Sequence, residues 1–172
     1  MDGVFYTMPE VARRLGLAPT LLNQYVREML IVPANESKKG APACGYRLID
    51  VPGALATGLV ASLRRKGASN AEIRPISLLV CSLTCAELDA AIARGDVLLV
   101  SGNGGDETPA QLVPETAAVL SRSDGLRILS VDIERAYERL VADLPNWQVF
   151  RVANGAQVAP ANGKAKQPKQ PA

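Results

Sequence analysis

Thr7-Met8-Pro9-Glu10-Val11-Ala12-Arg13-Arg14-Leu15-Gly16-Leu17-Ala18-Pro19-Thr20-Leu21-Leu22-Asn23-Gln24-Tyr25-Val26-Arg27-Glu28-Met29-Leu30-Ile31 is the stretch on which the fold turns. It reads as two short helices joined at Gly16. Thr7 followed three residues later by Glu10 predicts a capping box, the hydroxyl taking an orphan N–H while the carboxylate reaches back to the cap's own N–H. Pro9 is tolerated in a first turn, where its missing donor has no intrahelical partner. Val11, Ala12 and Leu15 fall on one face. Gly16 stands where a helix end favours a left-handed residue, and Pro19 is placed to open the second helix. There Leu22, Val26 and Leu30 are expected inward and Thr20, Asn23, Gln24 and Arg27 outward. A second helix with one buried side and a small polar and cationic side has the form of a helix-turn-helix DNA reader.

Working outward, Pro33 to Cys44 carries two prolines and a glycine and reads as a polar, basic loop. Tyr46 to Ile49 is expected to close it as a short strand. A basic hairpin after such a helix is a wing, with cations along the phosphate backbone. Asp50 should cap a third helix with Pro52 in its first turn and Leu55, Leu59, Val60 and Leu63 at helical spacing. Arg64, Arg65 and Lys66 crowd its last turn before Gly67, where they either meet phosphate or suit the helix dipole. Ser69 is expected to cap a short helix through Ile73, ending before Pro75.

The order of these parts resembles the DNA-binding domain of the mercury-resistance-regulator (MerR) family of bacterial transcription factors. The resemblance lies in Tyr6–Leu17, in Gly45-Tyr46-Arg47-Leu48, and in Leu63-Arg64-Arg65-Lys66-Gly67-Ala68-Ser69-Asn70-Ala71-Glu72-Ile73, over roughly residues 4–75. It implies a winged helix-turn-helix that binds operator DNA, usually as a dimer. It further implies that the second helix enters the major groove, with Thr20, Asn23 and Gln24 reading bases and Arg27 meeting phosphate, and that Tyr25, Lys38, Lys39, Tyr46 and Arg47 meet phosphates; placement beside the wing adds Arg64 and Arg65 as phosphate candidates. Tyr25 also fits a core tyrosine with a solvated hydroxyl. The chain differs from the family in Asn23-Gln24-Tyr25-Val26, where an Arg-Tyr-Tyr-Glu-like run is usual. It has Met29 where glycine is usual, and Ala41-Pro42-Ala43-Cys44 lengthens the wing. The family's long dimerising helix is missing from the pattern, since Pro75 intervenes and no heptad repeat follows.

Beyond Pro75, Thr84-Cys85-Ala86-Glu87 is a second capping box, opening a helix with Leu88 and Ile92 that ends near Gly95. Val97–Ser101 and Leu126–Val131 read as strands, and Gly102–Asp106 as a loop. Asp132 caps an amphipathic helix with Ile133, Ala136, Tyr137, Leu140 and Val141 on one face. Pro109–Ser123 is ambiguous, with a helix favoured in its later part, and Gln148–Val152 is a candidate last strand. The expected fold class is a mainly α N-terminal winged helix-turn-helix (1–75), then a small α/β (α+β) domain for self-association or partner contact (76–152), then a disordered basic tail (153–172).

Charge follows the same division. Residues 1–75 carry +4 and residues 76–151 carry −5, while three tail lysines bring the total to +2. A basic first part beside an acidic second part suits one module that touches phosphate and another that does not. Lys164, Lys166 and Lys169 either add non-specific DNA affinity or keep the tail soluble. Histidine is absent, which removes the commonest general base and the Ser-His and Cys-His nucleophile pairs, so no enzyme and no catalytic residue is expected. Cys81 and Cys85, four apart on one expected helix, are weak metal or redox candidates, with burial as small hydrophobes as the other reading. No cofactor is expected. The N-terminus lacks a signal-peptide pattern and no apolar run is long enough to span a bilayer, which predicts a cytoplasmic protein without a membrane partner. The expected partner is double-stranded DNA, bound by a homodimer assembled through residues 76–152; another regulator or RNA polymerase is a further candidate. Two alternatives stay open: a DNA-architectural, partition or recombination-directionality protein, or a protein-interaction module with degenerate DNA binding.

Overall fold

A computed structural model describes residues 3–37, 46–101, 110–114, 128–150, 152–153 and 156–157. It is mostly helical, with a small antiparallel sheet. The elements in order are β1 (Tyr6–Thr7), α1 (Met8–Arg14), α2 (Pro19–Arg27), α3 (Ala34–Ser37), β2 (Leu48–Ile49), α4 (Val51–Arg65), α5 (Asn70–Ser82) and α6 (Cys85–Ala93). They continue with β3 (Asp96–Ser101), β4 (Ala110–Pro114), β5 (Ile128–Val131), α7 (Ile133–Asp143), a 3-10 turn at Leu144–Asn146, β6 (Val152–Ala153) and β7 (Ala156–Gln157).

The helix starts follow their caps. Thr7, Asp50, Ser69, Thr84 and Asp132 each accept from a backbone N–H three residues on, and at Ser69 and Thr84 the reciprocal glutamate completes the box. At Thr7 only half forms. The hydroxyl accepts from the Glu10 N–H at 3.4 Å, but the Glu10 carboxylate turns instead to Arg13, Arg14 and the main-chain N–H of Gln148. Two guanidinium partners and a distant main-chain amide outcompete the cap's own N–H.

Helices α1 and α2 end alike. Gly16 takes φ +64°, Leu17 N–H bonds to the Ala12 carbonyl and Gly16 N–H to that of Arg13. Met29 takes φ +53°, with Leu30 N–H on Tyr25 and Met29 N–H on Val26. Both are 6→1 and 5→2 helix terminations that need a left-handed residue. Glycine adopts it without strain, whereas a side chain costs roughly 1–2 kcal/mol. Met29 is 62% exposed, so its side chain recovers little by packing. Met29→Gly is therefore expected to raise stability by about 1 kcal/mol, read as a higher thermal midpoint; a lower one would mean that Met29 packs against something in solution.

Helix α4 is central. Val51 to Thr57, Leu59 to Ala61 and Leu63 are all buried, so the stripe expected at Leu55, Leu59, Val60 and Leu63 is only part of an apolar surface that runs round the helix. Gly53 makes its start possible: a Cβ there would stand 3.0 Å from Asp50 Oδ1 and 3.1 Å from Ile49 Cγ2. Helices α5 and α7 pack on α4, and one hydrophobic core runs from Tyr6 through Ile73 and Val80 to Tyr137, Leu140 and Trp147.

Several expectations need correction. Helix α5 does not stop at Ile73; it runs through Pro75 to Ser82, and the boundary expected at 75/76 falls inside it. An interior proline costs about 3 kcal/mol, but Ile73, Ile76, Ser77 and Val80 are buried on either side of it, and that packing holds the helix together. Helix α2 ends at Arg27, short of Leu30. The loop after Ile31 contains the one-turn helix α3. Ala110–Pro114, the first part of the ambiguous region, is a strand. The sheet has order β4-β3-β5 and is antiparallel throughout, with Leu98 opposite both Leu112 and Val131, so this part is α+β. The candidate strand at Gln148–Val152 is a single bridge from Phe150 to Phe5, while Val152–Ala153 pairs with Ala156–Gln157. The loop at Gly102–Asp106, the helix favoured late in Pro109–Ser123, and the rest of the tail lie outside the described residues. Among the described residues, no single helix is long and apolar enough to cross a membrane.

Candidate nucleic-acid interface

The amphipathic character of α2 decides which side chains face outward. Leu22 and Tyr25 are buried on one side, and Leu30 and Ile31 follow them into the core. Thr20, Asn23, Gln24 and Arg27 are exposed. Spacings of three, four and seven residues align them in one stripe along the helix. Within it, Asn23 Nδ2 donates to the Pro19 carbonyl at 3.2 Å and Gln24 Nε2 to Glu28 Oε1 at 2.7 Å.

Tyr25 lies in the core at 2% exposure, which corrects its assignment as a phosphate contact. Its ring sits under the Arg64 guanidinium, 5.8 Å from the centroid, and burial pushes its hydroxyl pKa up against the lowering effect of Arg64 and Arg65. Arg64 is engaged within the fold. It ion-pairs with Glu28 and hydrogen-bonds the Asn70 side-chain oxygen, fastening the end of α2 to α4 and α5. Asn70 Nδ2 adds a bond to Glu28 Oε2 at 3.2 Å, and Arg74 Nη2 reaches the Glu28 main-chain carbonyl at 3.3 Å. Arg65 and Lys66, next in the chain, are exposed.

The loop expected as a wing returns through β2, which pairs antiparallel with β1, Tyr6 opposite Ile49 and Thr7 opposite Leu48. Lys38, Lys39 and Cys44 lie outside the described residues. Tyr46 is 55% exposed, its ring 6.2 Å from that of Phe150. Arg47 is exposed and pairs with Glu36 at 3.0 Å. The base of the loop is closed by Asn35, whose Nδ2 donates to the Tyr46 carbonyl and whose Oδ1 accepts from the Leu48 N–H, both at 2.9 Å. One carboxamide thus does what a neighbouring strand would do for both groups. Sequence reading missed Asn35 because its partners stand eleven and thirteen residues away; an asparagine before a basic loop is the only local signal.

Cys81 and Cys85 do not share a helix. Cys81 belongs to α5 and Cys85 opens α6, and the two helices meet at 110°. Both are 5% exposed and line the core. Among the described residues, no three His, Cys, Asp or Glu side chains are grouped to hold a metal ion. The described stripe on α2, with Arg47, Arg65 and Lys66, offers carboxamides, a hydroxyl and cations, which suit hydrogen bonding to base edges and attraction to phosphate. Comparison of the chain with protein-family models and with curated proteins gives no match.

Proposed function

We propose that the chain binds double-stranded DNA in a sequence-specific manner as a transcriptional regulator, through a MerR-like winged helix-turn-helix in its N-terminal part. The observation that carries the reading is the α2 stripe: Thr20, Asn23, Gln24 and Arg27 exposed on a helix whose other side is buried. In this reading α2 enters the major groove, where Asn and Gln side chains match base edges. Arg27, Arg47, Arg65 and, from the adjoining loop, Lys38 and Lys39 fix register on phosphates. One helix reads few base pairs, so a homodimer is the economical route to a specific site, with residues 76–152 proposed to supply self-association. The proposed setting is the cytoplasm, with no cofactor and no catalytic step.

Selection of duplexes from a random library, with sedimentation of the complex, tests this by giving site, symmetry and stoichiometry. For a selected duplex, Arg47→Ala is expected to weaken binding and to flatten the slope of log affinity against log salt by roughly 0.9, as for one lost phosphate contact. Removing Lys38 and Lys39 together should flatten it by about twice that. Protection that spreads outward from one site would favour the architectural reading. No selected duplex and no salt dependence would favour the protein-interaction reading, which the pairing of Arg47 with Glu36 and of Arg64 with Glu28 motivates.

A further inference from the structure

The exposed face of α2 carries two carboxamides, each committed at one end. The acceptors are the Pro19 carbonyl for Asn23 and the Glu28 carboxylate for Gln24. Neither acceptor can donate. A carbonyl has no proton, and the Glu28 carboxyl is held below its ordinary range, first by the Gln24 hydrogen bond and then, against partial desolvation, by Arg64 and Asn70. Each amide therefore presents its NH2 group to the helix-side acceptor. The carbonyl oxygens are then what the face offers outward, with one remaining N–H on each amide.

We infer that Glu28 is a positioning residue that turns the Gln24 amide, so that α2 selects amino bases (adenine through N6, cytosine through N4) over the keto bases guanine and thymine on the contacted strand. The inference rests on the DNA-binding reading above and names what that surface selects. Glu28 is well braced for this role. Its Oε1 takes Gln24, while Oε2 is occupied by Arg64 of α4 and by Asn70 of α5. The carboxylate is thereby fixed from two other helices, and Gln24 inherits that orientation before any base arrives. Adenine, which sets the N7 acceptor beside its N6 donor, can also use the remaining N–H and should lead cytosine.

The test is base preference in random-duplex selection with the full chain, comparing wild type, Gln24→Ala and Glu28→Gln. Glu28→Gln keeps the size and one acceptor oxygen, but its own amide can face Gln24 with either end, so Gln24 is free to reverse. At one base position the wild type is expected to favour A or C over G or T by about tenfold. Gln24→Ala should abolish that ratio. Glu28→Gln should bring it within about twofold at the same position only, with affinity averaged over sequences changed by less than about threefold. A purely structural Glu28 would weaken binding to all sequences alike and leave the ratio intact; that result overturns the inference, as does a keto preference in the wild type. Should Glu28→Gln fail to fold, the exposed Gln24→Ala variant still decides, since an unchanged ratio overturns the inference. A wild type that retains no duplex at all overturns the DNA-binding reading itself.

Discussion

Trp147→Ala is expected to cost about 3–5 kcal/mol of folding stability, the range for deleting a buried large aromatic, and to unfold both halves of the chain in one transition. Trp147 is 5% exposed and meets Tyr6 edge to face, with ring centroids 5.0 Å apart and an interplanar angle of 72°. Its indole N–H donates to Asp143 Oδ2 at 2.7 Å. Tyr6 belongs to β1, and β1 pairs with the return strand of the basic loop, so the cavity would open directly beneath that pairing. The neighbouring contacts have the same direction: Phe150 N–H donates to the Phe5 carbonyl at 2.7 Å and Gln148 N–H to Glu10 at 3.0 Å. Denaturant unfolding followed by tryptophan-independent probes checks this. A loss below about 1 kcal/mol, or two separable transitions, would sink it. A fragment ending at Pro75 should likewise fail to fold alone, because it cuts α5 in mid-helix and removes Ile76, Val80, Tyr137, Leu140 and Trp147 from the shared core; native-like helical circular dichroism from that fragment would refute the argument.

What could be read in the sequence was what depends on near neighbours. Caps at Asp50, Ser69, Thr84 and Asp132 are written in residues three apart, and all four form. The outward placement of Thr20, Asn23, Gln24 and Arg27 follows from helical period alone. Pro75 was misleading because its local penalty is set against burial by α4, which no window around residue 75 contains. Glu10 misled in the same way: its spacing from Thr7 is that of a capping box, yet its strongest non-local partner, Gln148, is 138 residues away.

The candidate site shows the same limit. Tyr25 and Arg64 both carry groups that suit a phosphate, and motif order placed them at one. Packing took them elsewhere, Tyr25 because its position on α2 faces α4 and Arg64 because Glu28 stands at the end of α2 with Asn70 beside it. Among the described residues Arg27, Arg65 and Lys66 remain exposed, and the acid that Arg47 pairs with, Glu36, is itself on the surface. A sequence gives the inventory of charges, but the pairing of acids with bases across helices decides which charges remain for a ligand.

Acidification is expected to weaken the contact between the two ends of the chain through Glu10. Its carboxyl is buried, which alone would raise its pKa, but hydrogen bonds from Arg13, from the Gln148 N–H and from Arg14 outweigh burial and hold it below the ordinary 4.5. A carboxyl with a depressed folded pKa binds its proton more readily in the unfolded chain. Its contribution is therefore complete above pH 4.5 and is lost as pH falls through the folded value. Arg13 is more than half exposed, so solvent screens part of its pairing. The largest lowering comes from Arg13, which grips both carboxylate oxygens, followed by the Gln148 N–H, the tie to the C-terminal segment, and Arg14. Glu10→Ala, which leaves these donors without their acceptor, is expected to cost about 2–4 kcal/mol at neutral pH. Glu28 and Asp143 also have lowered pKa values, so a bare acid midpoint would not isolate Glu10. The difference between wild type and Glu10→Gln does isolate it: the two stability profiles should run parallel from about pH 8 to pH 6 and converge below pH 4.5. Profiles that stay parallel to the acid limit would show that Glu10 is held by shape rather than by charge.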